Sequence, residues 1–397
     1  MIEIFTATLL GIGAGIVTGL MPGIHVNLVS ATLLSTSAFF LGFTDVTTLA
    51  VFIISMAVIR TFLDVIPSIY LGAPEADTVM GVLPGHRMLL QGRGYEAIKL
   101  TVIGSFGSLI AVLLATPLLL VVMRAAQPVL EPWIGWILLA VVVVMTLREK
   151  KRLLAAFLFL LSGALGIVVL NLGVTQPLFP LLSGLFGLST MLISLNQKVN
   201  IPPQQIRAEL PLQKRQMVAS IGIASAVGSF VGFFPGLGPA QAAVIGSQFL
   251  RGGNKNFLIL VGGLSTANMM ASLVTFYALD KARNGAIVAV REMLGAISPG
   301  QLMLFLLVGL IAGCAGIALT LFFAKRFASW LQRVPYPWLC WSVIALIAVL
   351  VPAISGWLGL LVLAVATLVG MIAPLTNVSR SQAMGCLLLP VIVWFLV

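Results

Sequence analysis

The chain has 397 residues, of which 60% are hydrophobic and only 8% charged, with a mean hydropathy of +1.14. An ordinary soluble domain carries about a quarter charged residues, so this composition cannot clothe a water-facing surface; it excludes soluble enzymes, nucleic-acid binders and secreted scaffolds. Apolar runs long enough to cross about 30 Å of hydrocarbon as helices define an all-α polytopic membrane protein, because lipid leaves open strand edges unsatisfied. The net charge of +11 then reflects Lys and Arg retained at one membrane face rather than a nucleic-acid partner.

The first apolar segment, 4–20, lacks a basic leader and is expected to stay as a helix rather than be cleaved as a signal peptide. It ends at Met21-Pro22-Gly23, and further segments follow at 24–41, 46–63, 98–123, 133–147, 153–171 and 177–194. The stretch from Asn196 to Gln216, with Pro202, Pro203 and Pro211, is strongly polar and is expected to be a linker. Beyond it come 217–234, 237–250, 256–276, 284–297, 300–324, 338–352, 355–373 and 382–397. Cys314, Cys340 and Cys386 sit in apolar stretches without metal-ligand spacing, and are expected to be packing residues. No metal centre, cofactor or catalytic constellation is expected: H-E-x-x-H, Walker A and G-x-S-x-G are all missing from the sequence.

The two sides of the linker resemble each other. Gly15, Gly19, Pro22 and Gly23 recur as Gly228, Gly232, Pro235 and Gly236 at a single offset of 213, and Thr61-Phe62 finds Thr275-Phe276 at 214. The expected division is a first membrane repeat at 1–195, a cytoplasmic linker at 196–216 and a second repeat at 217–397. With seven crossings per half, eighteen of the 22 Lys and Arg residues, Arg60 among them, fall on the cytoplasmic side. That bias places both termini outside the cell membrane and inserts the second half with inverted topology, the architecture of alternating-access transporters.

Each copy breaks an apolar segment at Pro-Gly and restarts it at once. Proline removes a donor, glycine permits the reversal, and the restarted helix offers its first N–H groups and positive dipole end to an anion. Small polar residues follow each break, His25 and Asn27 in the first copy, Gly238 and Gln241 in the second. These, with Gly19, Pro22, Gly23, Gly232, Pro235 and Gly236, form the expected substrate site; kinked packing glycines are the rival reading. His25 is either a hydrogen-bonded structural histidine or a ligand or proton relay. Asn268 and Ser272, one turn apart, form a polar face suited either to pore lining or to helix–helix contact. Asp64, Glu75 and Asp77 are candidates for ion coupling, and Arg60 or Arg283 for an anionic substrate.

The paired G-x-x-x-G-x-x-P-G motif, together with the polar segment from Leu71 through Pro74, Glu75 and Asp77 to Pro84, Gly85 and Gly92, resembles the TctA family. That family is the large permease subunit of tripartite tricarboxylate transporters. The resemblance spans nearly the whole chain and is similar to the compact, largely archaeal branch. It implies ion-driven uptake of carboxylates such as citrate, assisted by a small membrane subunit and an extracytoplasmic binding protein. The chain is shorter than the typical permease and its second half departs from the family pattern around Thr266, Asn268 and Ser272, so the resemblance does not by itself fix a tricarboxylate as the substrate.

The resulting expectation is a secondary-active permease, a symporter driven by H⁺ or Na⁺, for a small organic anion, with a carboxylate foremost; homo-oligomers are compatible with it. The alternatives are transport of a lipid-linked phosphate, an intramembrane lipid-modifying enzyme and a non-transporting scaffold.

Overall fold

A computed structural model describes residues 2–21, 29–30, 33–34, 37–72, 79–196, 202–206, 213–233, 237–250, 252–331, 333 and 335–396. Among them there is no strand. The first half contains α1 (Ile2–Leu20), α2 (Val46–Leu63), α3 (Val79–Leu89), α4 (Gly94–Leu130), α5 (Ile134–Leu147) and α6 (Arg152–Asn171). It closes with α7 (Leu178–Leu182), a π-helical turn at Ser183–Leu188 and α8 (Ser189–Asn196). The second half contains α9 (Lys214–Val231), α10 (Pro239–Phe249), α11 (Asn254–Leu279), α12 (Gly285–Leu294), α13 (Pro299–Leu331), α14 (Tyr336–Thr376) and α15 (Gly385–Leu396). Among the described residues, seven spans are long and apolar enough to cross a membrane, which makes the chain a multi-pass membrane protein.

Burial sorts the helices. α2 and α11 are almost wholly buried, polar residues included, so they form the centre. Around them, Leu114, Leu118 and Val121 of α4, and Met303, Leu307 and Ile311 of α13, make exposed apolar stripes at helical spacing. Such stripes suit lipid tails, and the exposed Trp133, Trp136, Trp338, Trp341 and Trp357 suit the two interfaces. The segments at 338–352 and 355–373 join as α14, bent where Gly356 takes φ 72° and ψ 178°, a backbone state that disfavours any side chain.

The glycines of the repeated motif are contact points. A Cβ on Gly15 would meet Met56 and Ile59, and one on Gly19 would meet Leu63 and Arg60. In the second half the corresponding neighbours are Leu264 and Ala267 for Gly228, then Ala271 and Asn268 for Gly232. Each neighbour steps by a constant 208 residues, so Arg60 and Asn268 hold matching places. This corrects the Thr61-Phe62 and Thr275-Phe276 equivalence: the chain between the paired helices is five residues shorter in the second half, which slides Thr61 onto Met269.

The halves are interlocked. Gly104 of α4 lies against the Ile259 carbonyl of α11, Gly262 lies against the Thr101 carbonyl, and Ser105 Oγ donates to Gly262 O at 3.0 Å. Small residues permit this backbone approach. At one end of the crossing, the buried Glu96 binds Arg93 at 2.7 Å and Lys255 at 3.0 Å. The polar stretch after α8 is docked there too. Gln204 accepts from Gly94 N–H at 2.8 Å and donates to Leu89 O at 3.0 Å.

Candidate functional site

Where α2 and α11 run side by side, they border a cavity of about 440 Å³. Its polar lining comes from Arg60 and Thr61 of α2, Gln241 of α10, Ser265 and Asn268 of α11, and Arg283 and Asn284 from the loop before α12.

Arg60 corrects an expectation. It was placed at the flank of a segment ending at residue 63, but the span runs on from Val46 to Leu71, so Arg60 lies in its interior and is 2% exposed. The extension passes Pro67, which cannot donate to the preceding turn; the ladder widens into a π-helical turn at Pro67–Leu71, and Ser68 Oγ donates to Asp64 O at 2.8 Å. Arg283, assigned to the opposite face, opens onto the same cavity. Neither arginine therefore belongs in the count of flanking charges. A cation inside an apolar span is costly and is found where it faces a polar cavity or a partner.

The start of α10 supplies the second positive feature. Gly238 is extended, Pro239 opens the helix, and Gln241 Oε1 accepts from Gly238 N–H at 3.0 Å. This cap holds the first turn in place, and its remaining N–H groups and dipole end abut the cavity. The Gln241 carbonyl oxygen is thus engaged in capping, leaving its amide nitrogen as the end suited to a ligand.

Two contacts fix the opposite walls. Thr61 Oγ1 and Thr266 Oγ1 share a hydrogen bond of 2.9 Å that ties α2 to α11. Asn284 Oδ1 caps α12 through Ile287 N–H at 2.9 Å, which folds the Arg283 loop back over the cavity.

Of the expected site residues, Gly238, Gln241 and Asn268 line the cavity. Gly19 and Gly232 do not; they seat the backbones that carry Arg60 and Asn268. Ser272 is buried away from the cavity, with its hydroxyl donating to Asn268 O at 2.7 Å. Asp64 is buried just beyond Arg60, its N–H bonded to Arg60 O at 3.0 Å, and it does not line the cavity. Pro22, Gly23, His25, Asn27, Glu75, Asp77, Pro235 and Gly236 lie outside the described residues. Sequence reasoning missed Ser265 and Asn284, and treated Thr61 only as a repeat marker. The apolar run at 65–71 is the available signal that Arg60 is deep.

Among the described residues, seven apolar spans and a cavity lined by two arginines and a helix N-terminus define a multi-pass membrane protein with a cationic chamber. The chain belongs to the tripartite tricarboxylate transporter TctA family, whose model matches residues 5–385. The family is that of a transporter permease, and its tripartite organisation implies other subunits and a substrate-binding protein. Over 404 aligned positions the chain is 27% identical to an uncharacterized protein of Methanocaldococcus jannaschii, covering 98% of each. No solved structure matches it.

Proposed function

We propose that this chain is a secondary-active permease of the cell membrane for a small organic anion, a carboxylate foremost. The observation that carries the proposal is the convergence of Arg60, Arg283 and the first turn of α10 on one buried cavity. Guanidinium groups bind carboxylates through short, charge-assisted bonds, and a helix N-terminus adds N–H donors. In this reading Arg60, Arg283, Gln241 and Asn268 hold the anion. The Pro-Gly breaks at Pro22-Gly23 and Pro235-Gly236, with His25 and Asn27, complete the site.

The halves 1–195 and 217–397 insert in opposite directions about a cytoplasmic linker, with both termini outside. The constant step between glycine contacts supports duplication, and Arg60 and Asn268 are its two central products. H⁺ or Na⁺ couples through Asp64, one turn from Arg60, with Glu75 and Asp77 as further candidates. A small membrane subunit and an extracytoplasmic binding protein deliver the anion. The test is uptake of radiolabelled carboxylates, citrate among them, by proteoliposomes that hold the chain with its small membrane subunit and binding protein, under inward H⁺ or Na⁺ gradients. Gradient-dependent uptake lost in Arg60→Gln and in Arg283→Gln is the expected result; uptake indifferent to both substitutions overturns the assignment.

A further inference from the structure

A second cavity, of about 580 Å³, lies across a wall from the first. Four stretches of chain border both. α10 meets the first cavity at Gln241 and the second at Ser247; α11 meets them at Ser265 and Phe257. Leu178 and Phe186 do the same on either side of a helical junction, as do Leu387 and Ser381. Each pair is six to eight residues apart, or about 9–12 Å of helix. The wall between them is apolar and buried, built from Leu182, Leu185, Val244, Leu260, Val261 and Met384.

The second cavity has its own pair of arginines. Arg87 reaches it from α3, and Arg380 from the turn between α14 and α15. Both line the same cavity, and neither forms an ion pair among the described residues. No described lining residue is acidic. Arg380 is steadied by donating to Thr190 Oγ1. The turn that carries it is shaped by Asn377, left-handed at φ 56°, and by Ser379, whose hydroxyl bonds that of Ser381 at 2.7 Å. Nearby, Arg148 binds Gln248 at 2.8 Å and Lys151 binds Thr376 O at 2.8 Å, so the rim is basic as well. Two like-charged guanidinium groups on one cavity, with no acidic side chain among its described lining residues, repel; an oxyanion bridging them converts that repulsion into attraction.

We propose that this cavity is a second binding site for a small oxyanion, carboxylate or phosphate, held between Arg87 and Arg380 on the far side of an apolar septum from Arg60. The proposal rests on the permease reading and gives it two stations instead of one. Solute crossing the chain exchanges between two cationic chambers, and only the thin septum must open.

Two measurements on the purified full-length chain test this. Calorimetric titration with citrate, and in parallel with inorganic phosphate, is expected to give two sites per chain. The double substitution Arg87→Gln with Arg380→Gln weakens one of them by about tenfold or more, the loss of charge-assisted bonds; Arg60→Gln weakens the other. A cysteine placed by Ser381→Cys, in a chain carrying Cys314→Ala, reports the second cavity through its rate of mixed-disulfide formation with a charged methanethiosulfonate, from which methanesulfinate leaves. Citrate or phosphate should slow that rate, with the protection lost in Arg87→Gln, a change on an exposed residue that spares folding, and kept in Arg60→Gln. A rate indifferent to both anions overturns the second site, and binding that Arg60→Gln alone abolishes does so while leaving the permease reading intact. Protection at Ser381→Cys without any effect of Arg60→Gln on binding overturns the Arg60 site and leaves the second standing.

Discussion

Replacing Arg60 with glutamine is the sharpest perturbation of the first cavity. The side chain is 2% exposed, so its charge acts through protein rather than bulk water. At an effective dielectric constant of about 20, a carboxylate about 4 Å away gains roughly 4 kcal/mol of Coulomb energy, part of which desolvation removes. The net value of a hydrogen bond to a charged group is about 1.5–3 kcal/mol. Loss of one such bond weakens binding by a factor of about 10–150. Glutamine keeps a donor and a similar length, so the loss reflects charge. The assay is citrate binding to purified protein alongside citrate uptake, with Arg60→Lys as the partner variant. Lysine restores the charge but not the planar fork, and should recover only part of the affinity. Binding within about twofold of the parent for Arg60→Gln, in protein that stays monodisperse, would refute the role assigned to Arg60.

Three further outcomes are expected. Gly104→Val forces a branched side chain against the Ile259 carbonyl and should lower the unfolding temperature, consistent with an overpacking cost of about 1–3 kcal/mol; an unchanged temperature would contradict the tight crossing. Glu96→Gln removes the carboxylate shared by Arg93 and Lys255, so pulsed hydrogen exchange should show faster opening of the Gly92–Gly94 turn and of the start of α11. His86 is buried, and burial together with Arg380 holds its imidazole below the usual 6.5. Because the unfolded chain takes up that proton first, stability is full above about pH 6.5 and falls as the pH drops below it. His86→Asn, which can still donate to Ile69 O, should flatten that acid-side decline in thermal unfolding.

The helical class and most segment positions were legible because lipid imposes a composition and a length that no soluble fold shares. The first helix of each half was legible because glycine must recur wherever two backbones touch. Four things were hidden. Asp64 looked like the close of the span at 46–63, although the helix runs on to Leu71, through Pro67 as a π-helical turn, and so draws Arg60 inside. The offset of 213 taken from the Pro-Gly motif could not be carried to α11, because a shorter connection shifts the register to 208. The approach of Arg283 to Arg60 depends on how α12 folds back under its Asn284 cap, which no local pattern announces. Gln241 was expected in the substrate site, and the structure adds that its carbonyl oxygen closes the helix it begins.

The shortness of α10 has an electrical consequence. Eleven residues make a rod of about 16 Å, half a hydrocarbon core, yet its two ends reach both chambers. When both chambers hold electrolyte continuous with opposite sides, the membrane voltage falls across about 10 Å of apolar side chains rather than about 30 Å of lipid. The field there is about threefold steeper, and one elementary charge passing through it exchanges about 2.3 kcal/mol per 100 mV within a few helical turns. A net charge carried through with each anion would therefore register as current.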